Sequence, residues 1–160
     1  MLTDYTAYAD IRAALGVSDE DIADDTLALP LYEDSLTQDL EDLALTLPAT
    51  YAATKALSAP TAIETRFLKA CSLFATFSVA KQLTSALPLF AAKDVTDGKA
   101  AVGRFDNPYK DVIKSVNEQY DKQRTRLIAA LGAIGTTGAT ATTQVYMSVV
   151  SPAYDPVTGT

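Results

Sequence analysis

Apolar residues recur every three or four positions along most of this chain, the pattern of helices that bury one face. Tyr8, Ile11 and Leu15 form the first stripe and predict a short helix over about residues 6–15, with Gly16 as its stop. Leu29, Tyr32, Leu36, Leu40, Leu43 and Leu47 form the second, a helix over about 26–47 with Glu33, Asp34, Asp39, Glu41 and Asp42 on its other faces. Pro30 is tolerated only within a first turn, so this helix begins near Ala28 or Leu29. Residues 48–60, PATYAATKALSAP, read as a connection with a proline at each end and room for a short helix. A third helix is predicted over about 60–87, with Pro60 in its first turn and Pro88 ending it. Its apolar residues Ile63, Phe67, Leu68, Cys71, Leu73, Phe74 and Phe77 cover more than one face. Such breadth implies burial between two neighbours, either helices of the same chain or a second subunit.

The stretch expected to organise the rest is 93–134. It opens as an exposed polar loop over 93–106, where Asp97-Gly98 favours a turn. Asn107 offers an N-cap oxygen and Pro108 a first helical position. Val112, Val116, Tyr120, Leu127 and Leu131 then step at helical spacing, interrupted at Gln123 and Arg124, and Gly132 and Gly135 are expected to end the helix. From Pro108 to Leu131 it would span about 36 Å at 1.5 Å per residue.

The C-terminal segment differs in character. GAIGTTGATATT, residues 132–143, lacks any period and reads as a flexible linker. QVYMSVVS, residues 144–151, is β-prone, and PAYDPVTGT after it is kept extended by two prolines. A lone strand is unstable, so this run is either disordered or adds to another chain's sheet. The expected fold is therefore all-α: a small helical bundle over 1–134 with one or more long helices, and an extended C-terminal arm over 135–160 carrying a short β-strand.

Composition narrows the chemistry. The 160 residues suffice for one domain with a real core, and there is neither histidine nor tryptophan. Without histidine the commonest general base and metal ligand are missing. The single cysteine, Cys71, lies in the apolar run FLKACSLFATF and reads as a buried small hydrophobe. No run approaches the roughly 20 apolar residues of a membrane span, and MLTDYTAYAD lacks the form of a signal peptide. Ser18-Asp19-Glu20-Asp21 suits a helix start, and with Asp24 and Asp25 nearby a calcium loop comes into question. The glycine and the closing glutamate of an EF-hand loop are missing, which favours capping over a metal. No phosphate-binding loop, paired Cys-x-x-Cys, Ser-His-Asp set or His-Glu-x-x-His occurs, so no cofactor, metal or catalytic activity is expected.

The net charge of −7 is unevenly spread. Residues 1–50 hold twelve carboxylates against the single cation Arg12, a net of −11; residues 51–92 carry +3, 93–134 carry +2 and 135–160 carry −1. This asymmetry fits a negative outer or luminal surface, head-to-tail charge matching between copies, or a plain solvated face.

Two groups of residues then resemble a known family. Tyr8-Ala9-Asp10-Ile11-Arg12 with Leu15-Gly16-Val17, and Asp97-Gly98-Lys99 with Val102, Arg104 and Phe105, are similar to the head–tail adaptor (connector) proteins of tailed bacteriophages. The layout of 5–134 resembles that family, and the tail matches it in character. The resemblance implies a structural virion protein at the head–tail junction, made in the bacterial host cytoplasm. It implies a homo-oligomeric ring, commonly twelve-fold, beneath the portal protein, with a tail or nozzle protein below. DNA would pass through the lumen without sequence-specific binding, and no membrane is involved. Extended arms clasp the portal, a role that would fall here to Val145, Tyr146, Met147, Val149, Val150 and Tyr154. Asp97, Lys99, Arg104 and Phe105 are the expected inter-subunit residues. Two other classes compete: a helical protein-binding or regulatory module that uses its tail as a peptide ligand, and a helical enzyme subunit with carboxylate chemistry.

Overall fold

The computed structural model describes residues 1–85, 94–97, 100–103 and 110–138, with side chains over 1–85 and 110–135. The fold is predominantly helical. Its centre is helix α5, Ala62–Leu83, rather than the 93–134 stretch expected to organise it. Phe67, Cys71, Phe74 and Val79 are fully buried, and Ala70, Ala75 and Ala80 are small enough to let neighbouring helices come close. From Ala70 to Leu83 only Leu73 and Lys81 stay exposed. The breadth of apolar positions on this helix thus reflects neighbours of the same chain.

A capping box fixes where α5 begins. Thr61 Oγ1 accepts from the Glu64 N–H at 3.3 Å, and Glu64 Oε2 accepts from the Thr61 N–H at 2.6 Å. Pro60 therefore precedes the helix instead of lying in its first turn.

Among the described residues, four helices pack on α5: α1 (Tyr8–Leu15), α3 (Pro30–Leu43), α4 (Leu47–Lys55) and α6 (Lys110–Gly138). The most extensive contact is with α6. The two run antiparallel: Lys81 and Phe74 of α5 meet Tyr120, whereas Arg66 and Lys69, nearer its start, lie beside Gln123 and Arg126. Val116, Leu127 and Ala130 of α6 are buried on this seam. Gln123, which breaks the apolar pattern, is buried with them, and its amide oxygen accepts a 3.4 Å hydrogen bond from Arg126.

The motif at the start of the chain has a structural role. Ile11 and Leu15 point into the core, and Gly16 adopts φ 69°, a left-handed conformation in which a side chain would be strained. The Gly16 N–H donates to the Ala13 carbonyl and the Val17 N–H to that of Arg12, a Schellman closure. Arg12 Nε donates to the Ile22 carbonyl at 2.7 Å, and its guanidinium pairs with Asp24. These bonds staple the turn that follows α1 back onto that helix.

Several expected boundaries move. The helix predicted from the Ser18 cap is a turn, because both the N–H and the hydroxyl of Ser18 donate to Asp21, each at 2.9 Å. Helix formation waits for α2 (Asp24–Leu27), a single turn. The long acidic helix expected over 26–47 is three pieces. Pro30 occupies the first position of α3, and Ala44, in extended conformation, ends α3 before α4 begins at Leu47. The stripe still does its work: Leu36, Leu40 and Leu47 are fully buried, Tyr32 and Leu43 partly so, and only Leu29 stands exposed. The 48–60 connection is largely α4, with Tyr51 buried.

Two further differences lie beyond α5. Residues 94–97 and 100–103 form antiparallel strands β1 (Asp94–Asp97) and β2 (Ala100–Gly103), in register Asp94–Gly103 to Asp97–Ala100, where an open loop was expected. Val95, Thr96 and Val102 are β-branched and suit strands. Helix α6 also runs through Gly132 and Gly135 to Gly138, about 44 Å in all, and so crosses the expected boundary at 134. A glycine weakens a helix by about 1 kcal/mol without stopping it, and the packing of Leu131 and Ile134 on the core carries this one onward. The expected Asn107 cap and the Pro108 and Pro88 boundaries lie outside the described residues.

Candidate interaction surface

Neither a closed pocket nor a catalytic constellation is found among the described residues. No group of three or more acidic or thiol side chains there could hold a metal ion. No described helix is long and apolar enough to cross a membrane. Burial pushes the Cys71 thiol up to about 12, so it is a packing residue and not a nucleophile.

What the bundle presents instead is a surface divided by charge. On one flank α5 and α6 leave a groove of about 290 Å³ whose lining includes Arg66, Lys69, Leu73, Gln123 and Arg126. Among the described residues it contains three cations and no acid. Arg66, Lys69 and Arg126 make no ion pair among the described residues. Leu73 adds an apolar patch at 44% exposure. The positions follow from helical spacing: Arg66, Lys69 and Leu73 stand three and four residues apart on α5, and Gln123 and Arg126 three apart on α6.

The opposite sign lies on α3. Leu36 and Leu40 point to the core, which turns Leu31, Asp34, Gln38 and Glu41 outward at steps of three and four. Leu45 lies just past the helix end. Leu31 and Leu45 are 67% and 84% exposed, so leucines bracket the two carboxylates. The inner flank of α3 is anchored where Ser78, buried on α5, donates to Asp39 at 2.5 Å. Ser78 and Leu73 are about 140° apart around α5 at 3.6 residues per turn. The acidic face and the basic groove therefore occupy different sides of one molecule.

A second polar cluster joins the N-terminal turn to α4. Tyr5 and Tyr51 stack with ring centroids 4.4 Å apart, and Tyr51 Oη and Lys55 Nζ both donate to the Asp4 carbonyl, at 2.7 and 2.6 Å. Burial, reinforced by nearby acidic groups, pushes the Tyr51 phenol up to about 12. The Tyr51 hydroxyl and the Lys55 ammonium converge on the one Asp4 carbonyl, so the cluster reads as a clamp holding the N-terminal turn on α4.

Val145, Tyr146, Met147, Val149, Val150 and Tyr154 lie outside the described residues, as do Lys99, Arg104 and Phe105. Asp97 closes β1, with its side chain outside the described set. Sequence reasoning missed the groove cations Arg66, Lys69 and Arg126. The signal was present as two cations three residues apart on a helix otherwise apolar around most of its circumference. No family model, curated protein or solved structure matches this chain.

Proposed function

We propose that this chain is a head–tail adaptor of a tailed bacteriophage, a non-catalytic virion subunit that forms a ring beneath the portal and carries the tail or nozzle protein on its other side. The observation that carries this reading is the separation of charge on the surface of the described bundle. An acidic α3 face and a basic α5–α6 groove on different sides suit repeated contact between identical subunits. The resemblance in Tyr8–Arg12 and Leu15–Val17 supports it, since these residues build the Schellman closure and the Arg12 staple that shape the first helical turn. A surplus of carboxylates facing the lumen would remove the attraction behind non-specific DNA binding and let DNA slide through.

In this reading the segment after α6 is the portal arm. Residues 144–151 add a strand to a portal sheet, with Val145, Met147 and Val149 on one face and Tyr146, Val150 and Tyr154 on the other or at the rim. Asp97, Lys99, Arg104 and Phe105 serve a subunit contact.

Negative-stain imaging and native mass measurement with the portal protein of the same phage test the reading. The expected result is a ring stacked coaxially on the portal. A chain lacking residues 139–160 should keep its helical circular dichroism and lose portal attachment. A full-length chain that stays monomeric or dimeric beside the portal sinks the adaptor reading and leaves a helical binding module whose tail is a peptide ligand. A truncated chain that docks as tightly as the full one removes the arm from the attachment.

A further inference from the structure

We infer that the outward face of α3 on one copy of this chain docks into the α5–α6 groove of the next, as a helix lying in a groove. The inference deepens the adaptor reading by naming a subunit contact besides that of Asp97, Lys99, Arg104 and Phe105, and it rests on that reading only for the closure of the ring.

The two surfaces match in chemistry and in period. The groove offers Arg66, Lys69 and Arg126 around the exposed Leu73, with the Gln123 amide at its floor. The α3 face offers Asp34 and Glu41 around Gln38, with Leu31 and Leu45 at the ends. A helix docked in a groove is read through anchors at steps of three, four and seven, and Leu31, Asp34, Gln38 and Glu41 have that spacing. Acid meets base and Leu73 meets one of the two end leucines, Leu31 or Leu45, while Gln38 can hydrogen-bond to Gln123. A single exposed ion pair contributes little. Charge here supplies register, encounter rate and rejection of wrong partners, and the leucines supply the buried apolar area.

The occupant has to be a second copy. Within one molecule α3 is held on the Ser78 flank of α5 with Leu36 and Leu40 inward, so its outer face cannot reach its own groove. Two different patches that complement each other make a heterologous contact, which propagates into a closed ring or an open filament.

Charge exchange provides the test. One full-length variant carries Arg66→Glu and Arg126→Glu; a second carries Asp34→Lys and Glu41→Lys. All four positions are exposed, and circular dichroism with thermal melting checks that each variant folds. Sedimentation velocity at low salt should find that the wild-type chain assembles and that each variant alone is weakened by about a hundredfold, since like charge across a contact is strongly unfavourable. An equimolar mixture should assemble again, because each variant then meets its complement on both sides. Raising the salt should weaken the wild-type and mixed assemblies together.

A variant that assembles alone as well as wild type overturns the inference, and so does a folded pair that fails to rescue. A wild-type chain that stays monomeric at high concentration and low salt overturns it as well. None of these outcomes decides the adaptor reading, which imaging of the wild-type chain on its portal scores separately.

Discussion

Replacing Phe74 with alanine probes the seam on which the bundle depends. The side chain is fully buried where α5 meets α6, and its ring lies 5.4 Å from that of Tyr120. Tyr120 is held in turn beneath Lys81, whose Nζ stands 3.9 Å from the ring centroid. Burying a phenylalanine contributes roughly 1.5–3 kcal/mol relative to exposing it. An aromatic pair adds about 0.5–1.5 kcal/mol, and the cavity left behind adds a further cost where the site cannot collapse. Collapse is resisted here because Ala70, Ala75 and Val79, the buried neighbours along α5, are already short. The expected loss is about 3–5 kcal/mol, a large share of the roughly 5–15 kcal/mol that stabilises a typical domain. Urea unfolding followed by circular dichroism should move the midpoint at constant slope, and the melting temperature should fall by about 6–20 °C. Leu73→Ala, one residue away but exposed, is the control and should shift stability by no more than about 0.5 kcal/mol. A Phe74 loss below about 1 kcal/mol, or equal losses at the two positions, would refute the packing argument.

Two further predictions follow from backbone and charge. A Cβ built on Gly132 meets nothing within 4 Å, so Gly132→Ala should stabilise the protein by about 0.5–1 kcal/mol by stiffening α6; a loss in the same urea assay would mean that the helix ends before this residue. Glu64 accepts from the Thr61 N–H, then from its hydroxyl, and these bonds hold its carboxyl below the ordinary 4.5. A depressed folded pKa means that the contribution is present above the unfolded value and is lost as pH falls through the folded one, so the window lies at and below about pH 4.5. Glu64→Gln keeps an acceptor without the titration, and its urea midpoint should fall less than wild type's between pH 5 and pH 3. Parallel curves would remove the capping box from the acid response.

The repeat of leucines and aromatics determined, by itself, that this chain is predominantly helical and which side chains form most of its core, although Leu29, Ile63 and Leu73 of the same stripes stay exposed. Phe67, Phe74 and Leu127 were legible as core because spacing near 3.6 puts apolar residues on one side whatever the partner. Gly16 was legible as a stop because only its backbone adopts a left-handed φ without strain. Boundaries were legible only in part, since they turn on local bonds that compete with helix. Asp21 folding back on Ser18 delayed α2, the extended backbone at Ala44 separated α3 from α4, and packing of Leu131 and Ile134 carried α6 past two glycines. Tertiary structure alone decided that α5 and not 93–134 is the hub, because hydrophobic breadth shows that a helix has neighbours without saying whose they are. It alone brought Arg66 and Lys69 beside Arg126, some sixty residues later in the chain, and turned Asp34 and Glu41 to a different side. Net charge per segment is additive along the sequence, but a charged surface depends on which helix faces are left uncovered, and only packing settles that.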